Sequence, residues 1–356
     1  MNTRLIKVRE LLQKEKLDAA LISSVPNIIW LTNYDGFSKE EREAFLLITK
    51  NKQYLLTDAR YTQEVKGIAK DFEVIEISQT NRLKNVIANL CKKENVKKLG
   101  VEEDNITVWE KKKLLQKIIV KHFSVSPLRQ IKDKSEIEKI YKACNIGDKA
   151  FDYILSKIES GVSETDLKFE LEQYIRTLGA DISFSTIVAF GKNAAIPHHQ
   201  TNDQRLKTNS WVLMDFGVKF ENYCSDMTRT VFLGKANDEQ KKMYQTVLTA
   251  QQKAIEKLSQ KNLMASNVDK AARDYIISQG YPTIPHSLGH GIGIEVHELP
   301  HISPHVKTKL EQGMVFSVEP GIYLINKGGV RIEDLVVLEK SGPRLLTKAP
   351  KNLIEL

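Results

Sequence analysis

Four carboxylates and one imidazole, Asp215, Asp226, Glu319, Glu333 and His290, each lie in an apolar, strand-like or glycine-rich stretch of this chain. A buried carboxylate without a partner is strongly disfavoured or forced to protonate. Segments that set four of them among Val, Met, Phe and Ile must therefore meet a counter-charge when they fold. Two divalent cations would cancel all four charges. The constraint is topological: β-segments far apart in sequence have to converge on one spot.

The run from Trp211 to Gly234 reads as two β-rich stretches, Trp211 to Lys219 and Asn222 to Phe232, meeting at Phe220-Glu221. A two-residue loop there pairs Lys219 with Asn222 and sets Asp215 directly opposite Asp226. Their Cβ atoms would lie about 4.5–5.5 Å apart, which is destabilising for like charges unless a cation sits between them. In GMVFSVEPGIYLINKGGVRIEDLVVL, a turn around Ile325-Asn326-Lys327 pairs Leu324 with Gly328 and therefore Glu319 with Glu333. A bulge or another loop length would shift that register. His290 stands in HSLGHGIGIEVHELP, where Gly289, Gly291 and Gly293 let backbone or ligand approach closely. Imidazole suits first-row dications, and carboxylate cages holding two ions roughly 3.5–4 Å apart supply hydroxide for hydrolysis. Hydrolysis is the reaction class these residues predict. His290 and His297 are separated by an odd offset that opposes them on a regular strand, so the glycine-rich run must bend for both to reach one site.

The runs MDFGVKFENYCSDMTRT, HSLGHGIGIEVHELP, SVEPGIY and RIEDLVVL resemble, in that order, the pita-bread metallopeptidases: methionine aminopeptidase, aminopeptidase P and prolidase. PNIIWLTNYDGF and YLLTDARYTQEV are similar to the creatinase-type N-terminal domain, and SPLRQIKDKSEIEKIYKACNIGDKAF to the junction of such two-domain proteins. The resemblance spans nearly the whole chain. It implies metal ligands at Asp215, Asp226, His290, Glu319 and Glu333, with Asp226 and Glu333 bridging two ions: manganese, or else cobalt, zinc or iron. It also implies helper roles for His198 in AAIPHHQ, chosen over His199 as the residue after Pro197, for His297 in EVHE and for Arg331 in RIED. The implied chemistry is attack of a metal-bridging hydroxide on the carbonyl before proline, with Glu319 relaying the water's proton and His297 holding the oxyanion. The leaving imide nitrogen has no hydrogen and needs a donor, His198 or His297. Arg331 would orient a ligand carboxylate. The implied substrate is a peptide with proline in second position, and the implied assembly a homodimer. Of the two activities, this reading leans to Xaa-Pro aminopeptidase, with Xaa-Pro dipeptidase (prolidase) as the alternative. A metal-free creatinase-like hydrolase and a non-catalytic binding module are weighed lower, because such relatives lose the ligands present here.

Blander readings exist for each residue alone. An isolated Asp in a DFG run is more often a turn or cap residue, and an isolated His is more often bonded to backbone in a core. His301 and His305 read as solvent-side or substrate-rim residues. The 356 residues allow two domains, α/β in class: a creatinase-like domain over 1–127 and a pita-bread catalytic domain over 128–356. The first alternates helical and extended patterns, with strands at DAALIS, FLLIT, YLLTD, FEVIEI and KKLGVE and helices at Thr3 to Glu15, RLKNVIANL and TVWEKKKLLQKI. Capping boxes of Ser135 with Glu138 and Ser163 with Asp166 open the first two helices of the second domain. The formal charge of +8 is spread without an aromatic-interleaved basic motif, so no nucleic-acid partner is expected. Cys91, Cys144 and Cys224 form no CxxC pair and point to a reducing cytoplasm. The amphipathic N-terminus lacks an apolar export or spanning core, so no membrane stage is expected.

Overall fold

The computed structural model describes residues 2–115 and 118–356. Two compact units divide the chain, Met1–Arg129 and Gln130–Leu356. In the first, helix α1 (Thr3–Lys14) leads to β1 (Ala19–Ile22), α2 (Val25–Thr32), β2 (Ala44–Thr49) and β3 (Gln53–Asp58). There follow α3 (Thr62–Ile68), β4 (Glu73–Ile77), α4 (Leu83–Lys93), β5 (Lys98–Val101), α5 (Val108–Leu114) and β6 (Ile119–His122). The strands form one mixed sheet of order β4-β3-β2-β1-β5-β6, antiparallel at β1–β2 and at the tight β2–β3 hairpin and parallel at β3–β4, β1–β5 and β5–β6. Strands β1 and β2 are buried along their whole length and are correspondingly apolar, as strands covered on both faces must be. All five expected strands form. Helix α5 opens on a Thr107–Glu110 capping box and ends at Leu114; of the helix expected over Thr107 to Ile118, residues 116 and 117 lie outside the described residues.

The second unit begins with α6 (Lys134–Leu155) and α7 (Glu164–Thr177), then β7 (Asp181–Ile182), β8 (Ile187–Phe190), β9 (Ser210–Phe216), β10 (Val218–Phe220), β11 (Tyr223–Cys224) and β12 (Met227–Leu233). A second helix pair, α8 (Asp238–Lys257) and α9 (Ala265–Ser278), precedes β13 (Gly289–Gly291), β14 (Glu298–Ile302) and β15 (Val315–Val318). Strands β16 (Gly321–Leu324), β17 (Gly328–Arg331), β18 (Asp334–Glu339) and β19 (Gly342–Leu345) complete it. Each helix pair packs on its own apolar cluster: Phe151, Leu167 and Ile175 with Met214 and Phe216 in one, Val247, Val268 and Ile276 with Phe316 and Val336 in the other. Among the described residues, no helix is long and apolar enough to cross a membrane.

Two local expectations change. Asp133, not Ser135, caps α6: its side chain accepts from the Ser135 and Glu136 amides, and Glu136 returns the bond at 2.9 Å, so the helix starts two residues earlier. The Ser163–Asp166 box forms as expected. The first hairpin turns at Glu221-Asn222, one residue later than Phe220-Glu221, with Phe220 paired to Tyr223 and Lys219 to Cys224. Both central residues have positive φ, 45° and 71°, the type I′ geometry that matches strand twist. Asp215 therefore faces Thr228 rather than Asp226. The slip is two residues, and because side chains alternate with period two both aspartates stay on the same face, as diagonal neighbours.

Candidate metal centre

All eight residues singled out by sequence line one cavity of about 340 Å³: Asp215, Asp226, His290, Glu319, Glu333, His198, His297 and Arg331. The ladder of the first hairpin is interrupted at Gly217, where a Cβ would stand 2.1 Å from the Ser225 carbonyl oxygen. Only glycine lets the strands approach there, and the break sits between Asp215 and Asp226. In the second hairpin the expected register holds: Leu324 pairs with Gly328, and Val318 with Asp334 farther along. The same register on both sides of a break sets Glu319 across from Glu333, and their amides bond instead to the Leu288 and Thr228 carbonyls. Strand β13 bulges between His290 and Gly291, and the irregular stretch after it returns His297 to within 4.3 Å of the His290 ring, centroid to centroid. The bend the odd offset demanded is there.

Clips across elements fix the carboxylates. The Thr228 hydroxyl donates to Glu333 Oε2 at 2.7 Å and accepts from Arg331 Nε at 2.9 Å. Arg331 Nη2 pairs with Asp215 Oδ2, and its Nη1 reaches the Tyr323 hydroxyl at 3.1 Å. Beneath them, fully buried Arg229 and Asp334 join at 2.7 Å, with Lys351 on the other Asp334 oxygen at 2.6 Å, tying β12 to β18 and to the C-terminal segment. Burial is the largest influence on three of the cavity carboxyls. Together with the neighbouring carboxylates it pushes Asp226 and Glu319 well above the usual range and Glu333 up to about 8. Burial likewise lowers His290 to about 4, so its ring is neutral at pH 7.

Three features fit this pocket to cations. Asp215 Oδ1, Asp226 Oδ1 and Glu333 Oε1 are buried with no hydrogen-bond partner, an arrangement native proteins rarely leave unexplained. His290 Nδ1 lies 3.1 Å from the Gly291 carbonyl oxygen, which can only accept, so the proton belongs on Nδ1 and the Nε2 lone pair faces the site. That lone pair looks at Asp226 Oδ2 and Glu319 Oε1 from 3.5 and 3.4 Å. Acceptors facing acceptors at that distance repel unless a proton or a positive ion stands between them. One ligand atom each from Asp226, His290 and Glu333 lies within 4.8 Å of the others, the spread of a single ion's shell.

His198 sits at the wall beside Pro197, whereas His199 turns away, buried, and bonds Glu164 at 2.8 Å. His301 is exposed at the rim. Three further residues meet the site without having been singled out. His286 lines the cavity and bonds the Tyr323 hydroxyl at 2.9 Å, and Thr228 holds Glu333. Thr228 had a signal: it follows Asp226 by two on the same strand face. His286 precedes His290 by four in a segment with no period, where spacing says nothing.

A C-terminal unit that gathers buried carboxylates from two hairpins and a neutral imidazole from β13, in a chain whose N-terminal unit is mixed α/β, defines a metal-dependent hydrolase. The models of Metallopeptidase family M24 and of the Creatinase/Prolidase N-terminal domain match residues 138–340 and 4–131, and the chain belongs to that metallopeptidase family. Solved relatives agree over their full length. The Xaa-Pro dipeptidase from Bacillus anthracis superposes with a TM-score of 0.93 at 35% identity, covering 99% of each chain. A recombinant prolidase from Thermococcus sibiricus gives 0.91 at 35%, covering 99% of this chain and 98% of that one. The X-Pro aminopeptidase from Thermotoga maritima MSB8 gives 0.88 at 34%, covering 99% of each chain.

Proposed function

We propose that this metallopeptidase is an Xaa-Pro dipeptidase, a prolidase, acting with two divalent cations held by Asp215, Asp226, His290, Glu319 and Glu333. The observation that carries the reading is the trio of unpartnered carboxylate oxygens around the His290 lone pair. Cations bound there polarise a carbonyl and bring the pKa of water toward about 7. The chain's own residues do the rest. Asp226 and Glu333 would hold both ions, and Glu319 would accept and pass on the proton of the attacking water. Arg331 holds Asp215 in place. His297 faces the developing oxyanion, and His198 or His297 delivers a proton to the leaving proline nitrogen, which carries none of its own. Manganese is the first choice of metal, and the working form is a cytoplasmic homodimer.

The leaning of the sequence toward the aminopeptidase gives way here to the dipeptidase. A cavity of about 340 Å³ lies at the small end of ligand sites, and two of the three solved relatives above are a dipeptidase and a prolidase. The aminopeptidase reading keeps the support of the Thermotoga maritima enzyme. Mass-spectrometric digests with manganese decide between them. Xaa-Pro dipeptides should be cut while Xaa-Pro-Xaa tripeptides and Xaa-Ala controls persist. Release of the first residue from tripeptides moves the assignment to the aminopeptidase, and cleavage without regard to proline overturns both.

A further inference from the structure

We propose that Glu164 is a positioning residue for the reaction, holding His198 at the cavity wall through a buried hydrogen bond to His199; this rests on the role given above to His198. Glu164 is the first residue of α7, yet its side chain turns inward and is 0% exposed. Its Oε1 accepts from the Phe190 amide at 2.7 Å and from Asn193 Nδ2 at 2.8 Å. Its Oε2 accepts from His199 Nε2 at 2.8 Å and from the Asn202 amide at 3.1 Å. One carboxylate thus fastens the chain over residues 190–202, and a helix N-terminus is where its charge is best tolerated. Because an ionised carboxylate only accepts, the His199 ring must donate from Nε2.

The fastening reaches His198 through a turn. The His199 amide bonds the Ile196 carbonyl at 3.1 Å, so Ile196 to His199 forms a closed turn with His198 in third place. Glu164 pins the last corner, and Arg331 Nη1 pins the second by donating to the Pro197 carbonyl at 3.3 Å. His198, exposed and lining the cavity, is the member of the turn presented to substrate. Hydrophobic burial offers no substitute for these bonds, since Ile196 beside it is 53% exposed.

Glu164→Gln keeps the volume but leaves one accepting oxygen and places N–H groups against donors. With manganese and an Xaa-Pro dipeptide, kcat is expected to fall at least tenfold while KM stays within threefold. The decisive comparison is a double-mutant cycle. If Glu164 acts through His198, Glu164→Gln should cost less than threefold in a His198→Ala background. Losses that multiply, or full activity of Glu164→Gln, overturn the proposal. Should Glu164→Gln fail to fold by circular dichroism, the His199 pair carries the test: His199→Gln, whose amide can donate to Glu164, should exceed His199→Leu at least fivefold, and equal rates overturn it. Spectra of 15N-histidine-labelled protein separate this idea from the dipeptidase reading. A wild type that cuts no Xaa-Pro peptide defeats that reading alone. The His198 ring signals must still move or broaden in Glu164→Gln while those of exposed His301 stay put, and unmoved His198 signals end the proposal.

Discussion

At the scale of single residues, the site is a problem in charge. Glu333 titrates near 8 in the metal-free protein because burial, then Asp215, resist its ionisation. Raised carboxyl values mean that stability is full below the ordinary carboxyl range and is lost as pH climbs through the raised value. His290 and His286, lowered by burial to about 4, act oppositely and lose stability as pH falls below 6.5. The window where only the carboxyls act is therefore about pH 6.5 to 8. Across it, the melting temperature of chelator-stripped protein should fall, and saturating manganese should remove the slope; a flat profile without metal contradicts the geometry. Glu333→Gln should retain the fold by circular dichroism, lose metal by mass spectrometry and cut kcat/KM by at least about 10³. Retained activity would remove Glu333 from the bridging role. Such residues are legible in a sequence because an acid among Val and Ile is costly wherever it folds. His286 and Tyr323 are not, since nothing in an aperiodic HSLGH or in EPGIY distinguishes a site residue from a loop residue until the chain closes.

At the scale of elements, register decided what could be read. The second hairpin was legible to the residue because its turn, Ile325-Asn326-Lys327, holds Asn326 and is followed at once by Gly328, both residues that favour turns. The first was misplaced by one position in the loop and two in the ladder, because Glu221 gives no turn signal while Asn222 does. The face assignment survived only through the period of the strand. Glu221 occupies a left-handed conformation that a glutamate side chain does not favour. Replacing Glu221 by Asn together with Asn222 by Gly should stabilise the protein by about 1 kcal/mol, read as a rise in the urea midpoint. The Lys139 pair this gives up spans 3.6 Å at the surface and is worth little. An unchanged or lower midpoint would show that the hairpin does not gain from a relaxed turn.

At the scale of the whole molecule, the chain is two compact units, and the candidate metal residues all lie in the second. Calorimetry of the intact protein should therefore resolve a metal-sensitive transition belonging to residues 130–356 and a metal-indifferent one belonging to residues 1–129. Removal of metal with a chelator should lower the first by 5 °C or more, and equal shifts of both would argue against this division of labour. The α/β class was readable from alternation of pattern, as was the convergence of four acids. Substrate length was not, because it depends on the walls of a cavity built from residues as scattered as Phe184, Pro197 and Val296.

The lone pair of His290 has a practical corollary. Ringed otherwise by oxygen donors, it presents a coordination environment with little power to refuse a newcomer, since most first-row ions accept such a mixture. The composition of the culture broth, or nickel leached from a purification resin, would be written into the isolated protein. Elemental content after preparation would then record the preparation, and the ion used in the cell must be sought in protein drawn from it under chelator-free, anaerobic handling.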